Sequence, residues 1–140
     1  MRRYLVVANQ TLGGDHLAAE VRRCLQAGPS RFHVLVPATP PGDHAVWTEG
    51  EAHVIAEERL ERALADFRGL GAEADGEVGD ANAVQAIADV LRGEEFDEII
   101  LSTLPPGLSR WLRQDLPHRV QRFGLPVRHV AAGHEPEVTR

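Results

Sequence analysis

Strand-length apolar runs alternating with helical periodicity leave this chain few folds to adopt. Besides a last strand at Pro126-Val127-Arg128-His129-Val130-Ala131-Ala132, the stretches Tyr4-Leu5-Val6-Val7-Ala8 within Arg3–Asn9, Phe32-His33-Val34-Leu35-Val36 and Ile99-Ile100-Leu101 are compact apolar runs. Strands of that kind are buried on both sides, as in a parallel sheet sandwiched between helices. A weaker strand is expected over Ala72–Val78, where small or apolar residues alternate with acids and leave one face exposed. Between these runs, Leu17, Val21, Cys24 and Leu25 recur at helical spacing after Asp15, a good N-cap, and Gly28-Pro29 stops that helix. Leu60, Ala63, Leu64 and Phe67 mark one face of an acidic helix from Glu51 to about Leu70. Val84, Ile87, Ala88 and Leu91 mark another, capped by Gly79-Asp80 and ended by Gly93. The stretch from Ala38 to about Gly50 reads as an irregular loop, and Ser109 to about Phe123 as a helix interrupted at Pro117. The order β-α-β-α-β-α-β-α-β implies an α/β domain spanning residues 1–140: three layers, doubly wound, with right-handed crossovers.

Composition narrows the chemistry. All 15 basic residues are arginine, and there is no lysine. That excludes a P-loop lysine, a Schiff-base lysine and a receiver-domain pocket, even if codon bias in a GC-rich genome is the origin of the imbalance. Residues 43–98 carry 16 acids against 4 arginines, a net of −12, whereas residues 1–42 and 99–140 each come to +3. An acidic middle argues against a nucleic-acid surface, and no apolar run approaches the roughly 20 residues of a membrane span. The opening Met1–Asn9 imitates a signal peptide only briefly, so a cytoplasmic protein is expected. The lone Cys24 sits at helical spacing with apolar neighbours and reads as a buried thiol. None of the seven histidines stands in a metal-like spacing; Asp43-His44 with Glu51 and His53 is the loosest of clusters, and no metal is expected. His33 and His129 lie in strands and read as structural.

Four pieces of the sequence, in order, resemble the universal stress protein family: Val6-Val7-Ala8-Asn9-Gln10-Thr11; Gly76-Glu77-Val78-Gly79-Asp80 with Ala86-Ile87 one helical stretch on; Phe96-Asp97-Glu98-Ile99-Ile100-Leu101; and Leu116 to Val127. The resemblance implies a Rossmann-like, five-stranded parallel sheet of order 3-2-1-4-5, a stress or signalling role, and a homodimer through the fifth strand, with Val127, His129 and Val130 as candidates for pairing. In ATP-binding members the nucleotide takes the crevice between the first and fourth strands, where the strand order reverses. Those members carry glycine, two residues, glycine, nine residues, then glycine with a hydroxyl residue. Here the first two glycine positions fall on Ser102 and Pro105, and the third, with its hydroxyl partner, near Gln114-Asp115. Pro105 and Pro106 have no N–H to offer a phosphate, and Asp115 would oppose one. The aspartate usual after the first strand is replaced by Asn9. No cofactor is therefore expected; ATP remains conceivable only through a degenerate motif.

The resemblance places a candidate crevice at Asn9, Gln10, Thr11, Val36, Ser102, Thr103, Ser109, Arg110 and Arg113, and sets the two basic ends of the chain side by side at one sheet edge. One reading is an anion or nucleotide site in which Arg110 or Arg113 replaces glycine amides. The other is structural: Ser109 as an N-cap, Asp115 as a helix start, Pro117 in a first helical turn, and arginines paired with acids of the middle segment. Trp111, with Leu108 and Leu112, reads either as core or subunit packing or as an exposed stacking platform. No Ser/His/Asp spacing or metal-binding carboxylate pair supports catalysis, so no catalytic residue is assigned. The expectation is a non-enzymatic regulatory or stress-response module; the alternative is a protein that binds an adenine nucleotide or phosphorylated metabolite through arginine.

Overall fold

Strand β1 (Arg2–Val7) alternates its side chains between two cores and thereby fixes the middle of the sheet. Tyr4 and Val6 face one side with Phe32, Val34 and Ile100; Leu5 and Val7 face the other with Leu35, Ile99 and Leu101. The computed structural model describes residues 1–39, 48–132 and 136–139. After β1 come α1 (Asp15–Ala27), β2 (Ser30–Pro37), α2 (Glu49–Gly69), β3 (Glu73–Gly79), α3 (Ala83–Gly93), β4 (Glu98–Thr103), α4 (Arg110–Arg113), α5 (Leu116–Val120), a 3-10 turn (Gln121–Phe123), β5 (Val127–Ala131) and β6 (Glu137–Thr139).

The sheet order is β3-β2-β1-β4-β5-β6. Its first five strands are parallel, in the order the resemblance implies, with Val6 opposite both Val34 and Ile100. The expected five-stranded sheet is corrected by a sixth strand: β6 runs antiparallel along the outer edge of β5, pairing Val127 with Thr139 and His129 with Glu137. β5 is thus an inner strand, and Val127 and Val130 are core residues rather than an open edge.

One face of the sheet is covered by α1 and α2, through Leu17, Val21, Cys24, Ala56, Ala63 and Phe67. The other is covered by α3, α4 and α5, through Val84, Ile87, Val90, Trp111, Leu116 and Val120. Cys24 is buried, as its spacing implies. Helix ends differ in detail from expectation because several cap-type residues stand near each start. Gly14 rather than Asp15 is the α1 N-cap, and Asp15 opens the helix. Asn82, not Gly79-Asp80, caps α3, accepting from the Gln85 N–H at 3.1 Å. α2 starts at Glu49 behind Thr48, whose hydroxyl accepts from the Glu51 N–H; residues 40–47 of the expected loop lie outside the described residues. The expected helix over 109–123 is broken at Asp115, which adopts a left-handed φ of 58°, while Pro117 sits comfortably in the first turn of α5.

Among the described residues, no helix is long and apolar enough to cross a membrane.

Candidate functional site

The sheet's order reverses at β1: the chain leaves one side of it towards β2 and returns on the other as β4. A crevice opens beyond the carboxyl ends of such a strand pair because the flanking connections diverge. Here it holds a cleft of about 140 Å³ lined by Asn9, Gln10, Thr11, Thr39, Ser102, Thr103, Leu104, Leu108, Ser109, Arg110, Trp111 and Arg113. Eight of the nine residues expected from the sequence come together there. Val36 does not: it is buried near the end of β2 in the core beneath α1 and α2.

The polar floor of this cleft is bonded within the protein. Ser102 and Thr11 share a hydrogen bond of 2.6 Å between their hydroxyls, and His16 Nε2 lies 3.3 Å from the same Ser102 oxygen. The Thr103 hydroxyl donates to the Leu104 carbonyl at 2.9 Å, so its lone pair accepts from His129 Nε2–H at 2.8 Å. Ser109 Oγ accepts the Leu112 N–H and caps α4, as one of the two sequence readings has it. Trp111 packs into the core with residues of α3 and α5 and also borders the cleft, which favours the packing reading.

Asn9 is oriented by its surroundings. Arg59, reaching across from α2, donates to Asn9 Oδ1 at 2.5 Å, while Asn9 Nδ2 donates to the Pro37 carbonyl at 2.8 Å and to that of Thr39 at 3.4 Å. Both halves of the network demand the same amide orientation, oxygen to the guanidinium and NH2 to the carbonyls. Among the described residues Arg59 has no acidic partner, and burial lowers its pKa.

His16 turns back over the glycine before α1. A Cβ on Gly14 would meet His16 Cε1 at 2.7 Å and the Thr11 carbonyl at 3.2 Å, so glycine is what lets the ring lie there. Burial holds the imidazole below its ordinary value, partly opposed by Asp15.

The charges of the basic ends do not meet at this edge. In a parallel sheet, strand starts and helix ends share the amino edge, which is where Arg2, Arg3 and Arg31 begin their strands. There they meet the acidic middle segment: Arg3 with Glu94 at 3.0 Å, Arg31 with Asp75 at 3.7 Å, Arg2 with Glu98 at 3.9 Å. Among the described arginines of the basic ends, Arg110 and Arg113 line the cleft.

The structural reading of the strand histidines is matched by their partners. His33 lies between Asp75 and Glu77, 2.9 Å from each, and His129 is bonded to Thr103. His53 is bonded to Glu57 along α2, and Asp43, His44 and His134 lie outside the described residues. No group of three His, Cys, Asp or Glu side chains stands in metal-binding proximity among the described residues.

Sequence reasoning missed His16, Thr39, Leu104 and Arg59. The signal for His16 was the Gly13-Gly14 pair ahead of it. That for Arg59 was its place at helical spacing between Ala56 and Ala63, a charge on the apolar stripe of an otherwise ordinary amphipathic helix.

Neither a family model nor a curated protein sequence matches the chain. Solved structures do. A universal stress protein from Archaeoglobus fulgidus superposes with a TM-score of 0.60 at 18% identity, over 93% of each chain. A universal stress protein in complex with cAMP superposes with a TM-score of 0.51 at 20% identity, over 92% of this chain and 96% of that one. The chain has the universal stress protein fold.

Proposed function

We propose that the protein is a universal-stress-protein-like regulatory or stress-response module, non-catalytic and cytoplasmic, whose crevice does not hold ATP in that family's standard way. The observation that carries this reading is the closed floor of the cleft. Ser102 and Thr103 occupy the end of β4 where a phosphate loop would begin, and their hydroxyls are spent on Thr11, His16, Leu104 and His129. Pro105 and Pro106, next along the chain, supply no backbone donor. Ser102 is enclosed, which suits a floor hydrogen bond better than a nucleophile. Isothermal titration with ATP, ADP and AMP tests the reading: no ATP heat is expected in the micromolar range, and micromolar ATP binding lost on mutation of Asn9 and Arg110 overturns it.

A second reading is favoured by the guanidinium-bearing residues of the cleft. Arg110 and Arg113 line the cleft together with Asn9 and Thr39, a set of residues suited to a phosphorylated metabolite or nucleotide held by charge rather than by glycine amides. One fold neighbour is a complex with cAMP, which makes a nucleotide a reasonable first probe. Replacing both arginines by alanine is expected to abolish any binding signal found with nucleotides; unchanged binding counts against this reading. The same family resemblance carries a homodimer, here at the end of the sheet formed by β5 and β6.

A further inference from the structure

The arginine-bearing cleft does not end at the crevice. Two further grooves continue from it across the lobe formed by α4, α5 and the 3-10 turn. One, of about 270 Å³, lies between the start of α3 and this lobe. It shares Thr39, Arg110 and Trp111 with the crevice and adds Asn82, Gln114 and Arg119 to the wall. The next, of about 550 Å³, shares Arg119 with that groove and adds His118, Gln121 and Arg122. Arg110 and Arg119 are thus the common borders of three hollows in a row, and among the described residues no carboxylate lines any of them.

In a chain of net charge −6 such a stretch is a local exception. Residues 108–123 hold four arginines and His118 against one acid, Asp115, which lies 3.6 Å from His118 Nδ1. Arg119 is exposed and has no acidic partner among the described residues. Arg122 is exposed too; its guanidinium stands 5.7 Å from the centre of the Phe123 ring, a contact that positions a cation without neutralising it. Asn82 Oδ1 is taken by the Gln85 N–H, so the polar group Asn82 has left to offer is its NH2, another donor. Cations set along one track repel each other and gain from an anion that spans them. Guanidinium groups hold phosphoryl oxygens in forked pairs. A helical lobe presents no strand edge, so an acidic peptide would have no backbone pairing to add. The net −12 of residues 43–98 opposes a duplex, which needs a broad basic face.

We infer that the arginine track running from Arg110 through Arg119 to Arg122 binds a chain of linked phosphates laid along the lobe, with the crevice at one end. The inference rests on the second reading above and narrows its ligand class to phosphates in series rather than a single one. Inorganic polyphosphate and the phosphate tail of a nucleotide share that chemistry.

Calorimetric titration of the full chain at low ionic strength, with tripolyphosphate and orthophosphate as probes, is the test. Tripolyphosphate is expected to bind at least about tenfold more tightly than orthophosphate, because only the chain spans more than one arginine. Arg119→Gln combined with Arg122→Gln, two exposed sites, is expected to bring that ratio towards one with an unchanged urea midpoint. Arg22→Gln combined with Arg62→Gln removes the same charge from exposed sites on α1 and α2 and is expected to leave the ratio intact. An equal loss there would reduce the effect to net charge and overturn the inference. Tripolyphosphate binding that ignores Arg119 and Arg122 overturns it as well, and so does an oligoglutamate that binds as tightly. If tripolyphosphate fails while nucleotides bind and are lost on replacing Arg110 and Arg113, the second reading stands without the inference. If neither nucleotides nor tripolyphosphate bind at millimolar concentration, both fall. ATP carries the same three linked phosphates on a nucleoside, so whichever of ATP and tripolyphosphate binds more tightly, with the dependence on Arg119 and Arg122 retained, identifies the source of the chain.

Discussion

Burial of the His16 ring over Gly14 makes folding sensitive to mild acid. Its folded pKa lies below the ordinary value near 6.5. As pH falls through that value, the unfolded chain takes up the proton first, so stability from this group is complete above it and is lost as pH drops towards the folded value. The urea midpoint is accordingly expected to fall between about pH 7.5 and about pH 5.5, and His16→Gln to flatten part of that fall. Gly14→Ala should act the same way by a different route. The added methyl collides chiefly with the movable ring, so it should cost less than about 1 kcal/mol at neutral pH yet displace the imidazole from Ser102 and erase the acid-sensitive component. Equal pH profiles for wild type and both variants would show that His16 is not the source. None of this was legible in the sequence beyond a glycine pair ahead of a histidine, because the direction of a ring is decided by what packs on it.

Two elements are joined by a charge that has nowhere else to go. Glu20 of α1 is 3% exposed and lies 2.9 Å from Arg128 Nε of β5, which is itself 20% exposed; Arg23, one helical turn on, also donates to it. The Arg128 Nε–H is not aligned on the carboxylate, so this contact is an ion pair without a good hydrogen bond. Removing the carboxylate strands the Arg128 guanidinium, and Glu20→Ala is expected to cost about 3 kcal/mol by chemical denaturation. Glu20→Leu combined with Arg128→Leu should recover most of the loss, since it removes both desolvation penalties. A double variant no more stable than the single one would mean that the pair contributes more than its own compensation.

At the β2–β3–α2 junction the constraint is steric: a Cβ on Gly76 would run into the Val34 carbonyl oxygen and lie 2.6 Å from Leu60 Cδ1. Gly76→Ala is expected to cost about 2–3 kcal/mol with an unchanged denaturant slope, whereas Gly13→Ala, with nothing within 4 Å, should stay within about 0.5 kcal/mol. The strands themselves were readable because burial on both faces forces continuous apolar runs such as Tyr4–Ala8 and Ile99–Leu101. β6 was not: Glu137-Val138-Thr139 is too short to carry a period, and only pairing with β5 makes it a strand. The crevice was readable where topology alone placed residues, at Asn9–Thr11 and Ser102–Thr103. It was not readable where a side chain had to cross from another element, as Arg59 does, nor at Val36, whose position in β2 adjoins the crevice but whose side chain points into the core.

The two ends of the sheet differ in what they offer a second copy of the chain. At one end β3 carries Glu73, Asp75 and Glu77 on alternate positions of an edge strand, with the latter two bonded to His33; such charges discourage edge-to-edge pairing, and a second copy would bring three more acids against them. At the other end β6 is short, and its middle residue Val138 is a large apolar side chain 42% exposed. A homodimer of the kind the family resemblance implies would therefore form at the β6 end. It could not use β5 hydrogen bonds directly, because β6 already takes them. Sedimentation equilibrium is expected to show a dimer whose dissociation constant rises at least about tenfold in Val138→Asp, since a carboxylate would be desolvated against its symmetry mate. Neutralising the opposite edge with Asp75→Asn and Glu77→Gln should leave the dimer in place, because those residues would stand far from the two-fold axis. A monomer at all concentrations removes the dimer altogether. A dimer indifferent to Val138→Asp moves it to another surface and leaves the β6 edge without a partner of its own kind.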